Sequence, residues 1–141
     1  MKKYKALYYT GMAISLLIGL WHFFVPALYG WYSYIPAEYA VLSVTIDYVN
    51  TCFSMLLFGL SALLIFWGKR IFDGNREATT LYAFMTFVWV ARIGVAIAKP
   101  IPDGANPWLA YGQLIASIVI AVFLVVPLMR LHRNRKGGNV K

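Results

Sequence analysis

The sequence predicts an all-α integral membrane protein, a four-helix antiparallel bundle with both termini on the cytoplasmic side. Three observations carry that expectation. Hydrophobic residues make up 61% of the chain and charged residues 13%, with a mean hydropathy of +0.66, which leaves too little polar surface to keep such a chain in solution. The apolar residues gather in four runs of about 20 residues, the length of one bilayer crossing. Of the 13 lysines and arginines, all but Arg92 and Lys99 lie at ends that four crossings place on one face, and cytoplasmic loops collect basic residues. Topology therefore accounts for the net charge of +8 without nucleic acid.

The whole chain, 1–141, is expected to form a single transmembrane domain. Lys2, Lys3 and Lys5 open it, and the first span follows over about 7–28. That run is too long for a signal peptide and lacks a small-x-small cleavage site, so it is expected to stay in the protein. Gly11, Ser15 and Gly19 recur every four residues on one face, a stripe that lets a second helix approach closely. Residues 29–40, rich in tyrosine and tryptophan and free of basic residues, suit the membrane interface. The second span covers about 41–67 and ends at Gly68-Lys69-Arg70, after which Asp73-Gly74-Asn75 spells a turn. A third, about 79–98, closes on Lys99-Pro100 and leads into a turn-rich loop at 101–107. The fourth covers about 108–128, with Pro127 near its exit. Residues 129–141 follow as a basic, frayed cytoplasmic tail, in which His132 belongs to a patch meeting solvent or lipid head groups. Short connections favour an up-down-up-down order.

Each span carries a polar residue at one depth: His22 in the first, Asp47 with Asn50 one turn below in the second, Arg92 in the third and Gln113 in the fourth. At a rise of about 1.5 Å per residue they fall roughly 8 to 12 Å below the outer edge. A charge facing lipid there costs about 2.5–3.5 kcal/mol on insertion scales, so Asp47 and Arg92 are expected to turn inward and pair. His22, Asn50 and Gln113 are then their hydrogen-bond partners. Two readings stay open at this point. The cluster either fixes helix order and register, or lines an outward-facing pocket that takes a lipid-like or quinone-like head group.

The second reading covers three kinds of protein. One is an accessory subunit of a membrane complex. Another is an enzyme, with His22 as acid or base, Asp47 orienting it and Arg92 steadying negative charge. The third is a small-solute transporter. The lone cysteine, Cys52, excludes an internal disulfide and a cysteine metal site. It reads as a buried, inert thiol. The two histidines lie far apart in the chain, so no metal is expected, and a quinone or lipid is the small molecule that suits the cluster. The lipid bilayer is the expected partner. A soluble or membrane protein docked on the basic inner face, and a second copy of the chain, both stay open.

The stretch GLWHFFVPALYGWYSYIP, Gly19 to Pro36, resembles the first helix and following loop of DoxX-like membrane proteins. Those carry a Gly-x-x-His-Phe-x-x-Pro motif, then an aromatic-rich segment closing on a proline. The matching residues are Gly19, His22, Phe23, Pro26 and Pro36, and the four-span plan is also similar. In the second span that family often has Gly-x-x-Glu, where this chain has Asp47-Tyr48-Val49-Asn50. The resemblance implies a small integral subunit of the cell inner membrane, in some members tied to quinone-linked or thiol-linked redox complexes.

Overall fold

Long apolar runs broken only by proline or by Asp-Gly-Asn become helices, because in an apolar setting each backbone N–H and C=O must find its partner within the segment. The computed structural model describes residues 1–100 and 107–138, with the side chains of 107–110 and 135–138 excepted. Its elements are α1 (Lys2–His22), α2 (Val25–Leu28), two single-turn 3-10 helices at Trp31–Tyr34 and Ala37–Tyr39, α3 (Ala40–Phe72), α4 (Arg76–Ala98) and α5 (Pro107–Gly138). No strand occurs among the described residues. The loop expected at 101–107 lies, but for Pro107, outside the described residues, as do 139–141 of the tail.

Among the described residues three stretches are long and apolar enough to cross a membrane: Ala37–Phe72, Arg76–Ala98 and Tyr111–Asn134. Between a fifth and a third of the residues in their most apolar windows are buried within the chain. The remainder includes Val41, Val49, Phe66, Phe87, Val95, Ile97, Ile115 and Val122, all exposed, an apolar surface that suits lipid rather than water. Helix α1 is not among the three, since its 21 residues include Lys2, Lys3, Lys5, three tyrosines, Thr10 and Ser15.

Two boundaries differ from expectation. The first helix stops at His22 instead of running to residue 28, because Pro26 has no N–H to give to the His22 carbonyl and its ring crowds that carbonyl. A turn through Phe23 and Phe24 intervenes, and the chain resumes as the four-residue α2. The second difference is at the other end, where α5 continues past Pro127 to Gly138 in place of a frayed tail. Pro127 is fully buried and so is Leu131 nearly, which anchors the turn beyond the proline.

The chain divides into two compact units, Ala13–Leu63 and Met1–Met12 with Leu64–Lys141. In the shorter unit the small residues of α1 meet α3. A Cβ on Gly19 would stand 2.6 Å from the backbone nitrogen of Phe58 and 2.9 Å from its Cα, so only glycine admits this approach. One turn earlier the buried hydroxyls of Ser15 and Ser61 share a hydrogen bond of 2.8 Å. Ser54, Leu57 and Ser61 recur at helical spacing as the buried face of α3. Cys52 lies off that face and is exposed, which corrects its expected burial.

In the larger unit the core is aromatic. The Tyr8 ring meets Phe72 edge-on at 5.4 Å and Tyr82 at 4.9 Å. Both phenols are buried and give their protons to helix carbonyls, Tyr8 to Leu64 and Tyr82 to Leu124. Met85 and Trp89 on α4, and Ile120 and Leu124 on α5, complete it. The connection from α3 to α4 is the turn read from the sequence: Gly74 takes φ 92°, the left-handed conformation that ends a helix at least cost in glycine. Asn75 then caps α4, its Oδ1 accepting from the Ala78 N–H at 2.8 Å.

Candidate functional site

The polar residues singled out from the sequence fall in both units: His22, Asp47 and Asn50 in the shorter one, Arg92 and Gln113 in the larger. The pairing expected between Asp47 and Arg92 joins residues of different units, and each has hydrogen-bond partners inside its own.

In the shorter unit the break at Pro26 decides the arrangement. A continuous helix would supply the His22 carbonyl with an N–H from residue 26, which proline lacks. Asn50 supplies it instead, its Nδ2 donating to that carbonyl at 2.9 Å. The Asn50 carbonyl accepts in turn from the Ser54 hydroxyl at 2.7 Å. The His22 ring is half-buried and meets Phe53 edge-on at 5.1 Å. Asn50, expected as a hydrogen-bond partner of the Asp47–Arg92 pair, thus gives its amide proton to the His22 backbone. Asp47, one turn before Asn50, is exposed and accepts from the Tyr32 hydroxyl.

That contact was not foreseen, since Tyr32 sits in the aromatic segment read as an interfacial belt. It raises the Tyr32 phenol above its ordinary 10.0, chiefly through the hydrogen bond to Asp47, then through desolvation and the carboxylate's charge. The sign follows by linkage. A folded pKa above the unfolded one contributes stability that is fully present below the unfolded value and is lost as pH rises through the folded value. In alkaline titration followed by tyrosinate absorbance, Asp47→Asn is therefore expected to bring one phenol back toward 10. Superimposable wild-type and Asp47→Asn curves would show that Tyr32 and Asp47 do not meet.

In the larger unit Arg92 is half-buried on α4. Its Nε donates to Ser117 Oγ at 3.1 Å and an Nη to Gln113 Oε1 at 3.3 Å. The Ser117 hydroxyl gives its own proton to the Gln113 carbonyl at 2.7 Å, which turns its oxygen toward the guanidinium as an acceptor. Gln113 and Ser117 are four apart on α5 and so share a face. Trp89, three residues before Arg92, is buried with its ring 5.8 Å from the guanidinium carbon, a cation-π distance. Ser117 was missed from the sequence, although its spacing from Gln113 is the available signal.

No family model, curated protein or solved structure matches this chain. Among the described residues no group of three or more His, Cys, Asp or Glu is placed to hold a metal ion. What the site offers is a cation set among neutral dipoles and an aromatic face, and this suits recognition of an electronegative group in a mostly apolar ligand.

Proposed function

We propose that the protein is a small multi-pass subunit of the cell inner membrane whose polar intramembrane residues bind the head of a lipid-like or quinone-like molecule, as an accessory component of a redox-linked complex. The observation that carries this is the Arg92 guanidinium. It lies within a helix apolar enough to cross a membrane, and the contacts named above are two neutral oxygens and an indole face. A guanidinium has five N–H donors, of which Ser117 and Gln113 take two. A cation held that way in low dielectric favours a carbonyl or phosphate oxygen as a further partner. The similarity of Gly19, His22, Phe23, Pro26 and Pro36 to DoxX-like proteins supports the same reading.

Binding of a quinone analogue and of phospholipid head-group analogues to the purified protein tests it. Hydrogen bonds to a charged group are worth about 1.5–3 kcal/mol, so Arg92→Gln is expected to weaken binding roughly 10- to 100-fold, with the fold kept. Arg92→Lys, which keeps the charge and loses the fork, should fall between. Wild-type affinity in Arg92→Gln would remove the site.

The reading includes four crossings, with α1 as the first, and both termini in the cytoplasm, on the strength of the basic residues at Lys2–Lys5, Lys69–Arg76 and Arg130–Lys136. In a Cys52→Ser background, a cysteine at Ser33 is expected to react with an impermeant thiol reagent in intact cells, and one at Asn75 is not. Labelling at Asn75 would reverse the orientation.

A further inference from the structure

Away from Arg92, a groove of about 410 Å³ opens between α4 and α5, lined by Thr79, Thr80, Ala83, Leu128, Met129 and His132. The volume is in the range of small-molecule sites, about 300–1,000 Å³. Its two threonines offer no proton, for Thr79 donates to the Asn75 carbonyl at 2.7 Å and Thr80 to the Arg76 carbonyl at 2.9 Å. The walls are therefore methyls, an alanine, a leucine and a thioether, and polarity is confined to one end.

At that end the charge is mainly positive. Arg76 is exposed one turn before Thr80, on the same face of α4. Arg133 is exposed beside His132 and one turn after Met129. Glu77, beside Arg76, and Asp73, in the turn before α4, are the exposed acids near the same end. Both flanking helices include stretches apolar enough to cross a membrane, so the medium that meets the groove is lipid.

We infer that this groove binds one anionic phospholipid, with an acyl chain along Ala83, Leu128 and Met129 and the phosphate against His132, Arg133 and Arg76. Charge complementarity selects the occupant: apolar walls take any chain, and the basic rim prefers a head group with net negative charge. Thr80 precedes Arg92 by twelve residues, about 18 Å along α4, so this site does not rest on the reading of Arg92.

The test uses the full chain, delipidated in a neutral detergent and titrated with phosphatidylglycerol or phosphatidylcholine, with bound lipid counted by native mass spectrometry. Wild type is expected to hold one phosphatidylglycerol at least tenfold more tightly than phosphatidylcholine. Thr80→Trp, which fills the groove from an exposed position, should abolish that adduct while helix content by circular dichroism is unchanged. Arg76→Gln with Arg133→Gln leaves the walls intact and should bring phosphatidylglycerol down to the level of phosphatidylcholine. Equal affinity for the two lipids in wild type would overturn the proposal, as would an undiminished adduct in a folded Thr80→Trp. Should Thr80→Trp not fold, the charge variant decides: a retained tenfold preference there overturns the proposal and its loss supports it.

Discussion

Gly19→Ala is expected to be among the most damaging single-methyl changes in the chain. The added Cβ would meet the Phe58 nitrogen at 2.6 Å, its Cα at 2.9 Å and the Leu57 carbonyl carbon at 3.1 Å. All three are backbone atoms of α3, which cannot swing aside as a side-chain tip can, so α1 and α3 must part. That separation would also stretch the Ser15–Ser61 hydrogen bond. Overpacking of this kind costs typically about 1–3 kcal/mol, occasionally more, and Gly19→Val should exceed Gly19→Ala. The control is Gly59→Ala on α3, where a Cβ would meet nothing within 4 Å. There the helix gains about 0.5–1 kcal/mol from the lost backbone freedom of glycine. Thermal unfolding in detergent should order the three as Gly59→Ala, then wild type, then Gly19→Ala. A Gly19→Ala protein as stable as wild type would mean that the two helices do not approach as described.

The second large effect is expected at Asn50, and it depends on the residue at position 26. Asn50→Ala removes the donor to the His22 carbonyl, a hydrogen bond worth about 0.5–1.5 kcal/mol. Pro26→Ala restores an N–H at the position four residues after His22, which can serve the same carbonyl once the helix closes through residues 23 and 24. The loss caused by Asn50→Ala should therefore be markedly smaller in a Pro26→Ala background than in wild type. A double-mutant cycle by thermal or denaturant unfolding reads the coupling directly. Strict additivity would show that Asn50 does not stand in for the missing N–H.

Much of the helical plan was legible because it rests on run length and punctuation. Apolar stretches of crossing length gave α3, α4 and α5 their centres, and Asp73-Gly74-Asn75 marked the turn before α4. The stripe of Gly11, Ser15 and Gly19 signalled a close helix approach, and Gly19 and Ser15 make one against α3. What escaped depended on three-dimensional neighbours. Leu131, four residues beyond Pro127 on the same face, is buried with it, and that burial keeps α5 helical into a segment that composition alone marks as a tail. The Tyr32–Asp47 contact crosses an irregular segment with two 3-10 turns, where no periodicity announces which side chain returns to which helix. Asn50 was visible as a polar residue in an apolar span. Its target was hidden because the need it meets is a backbone carbonyl, created by a proline four residues downstream.

The unequal lengths of α4 and α5 matter for how this unit sits in a bilayer. At about 1.5 Å per residue, the 23 residues of α4 reach roughly 35 Å and the 32 of α5 roughly 48 Å. The hydrocarbon layer is about 30 Å thick, so α4 fits it with little to spare while α5 overshoots by more than three turns. A thicker membrane still leaves α5 with length in hand, whereas α4 has almost no slack. The side chains that join the two helices are Tyr82, bonded to the Leu124 carbonyl, and Arg92, bonded to Gln113 and Ser117, so these contacts are what hold the short helix in register with the long one.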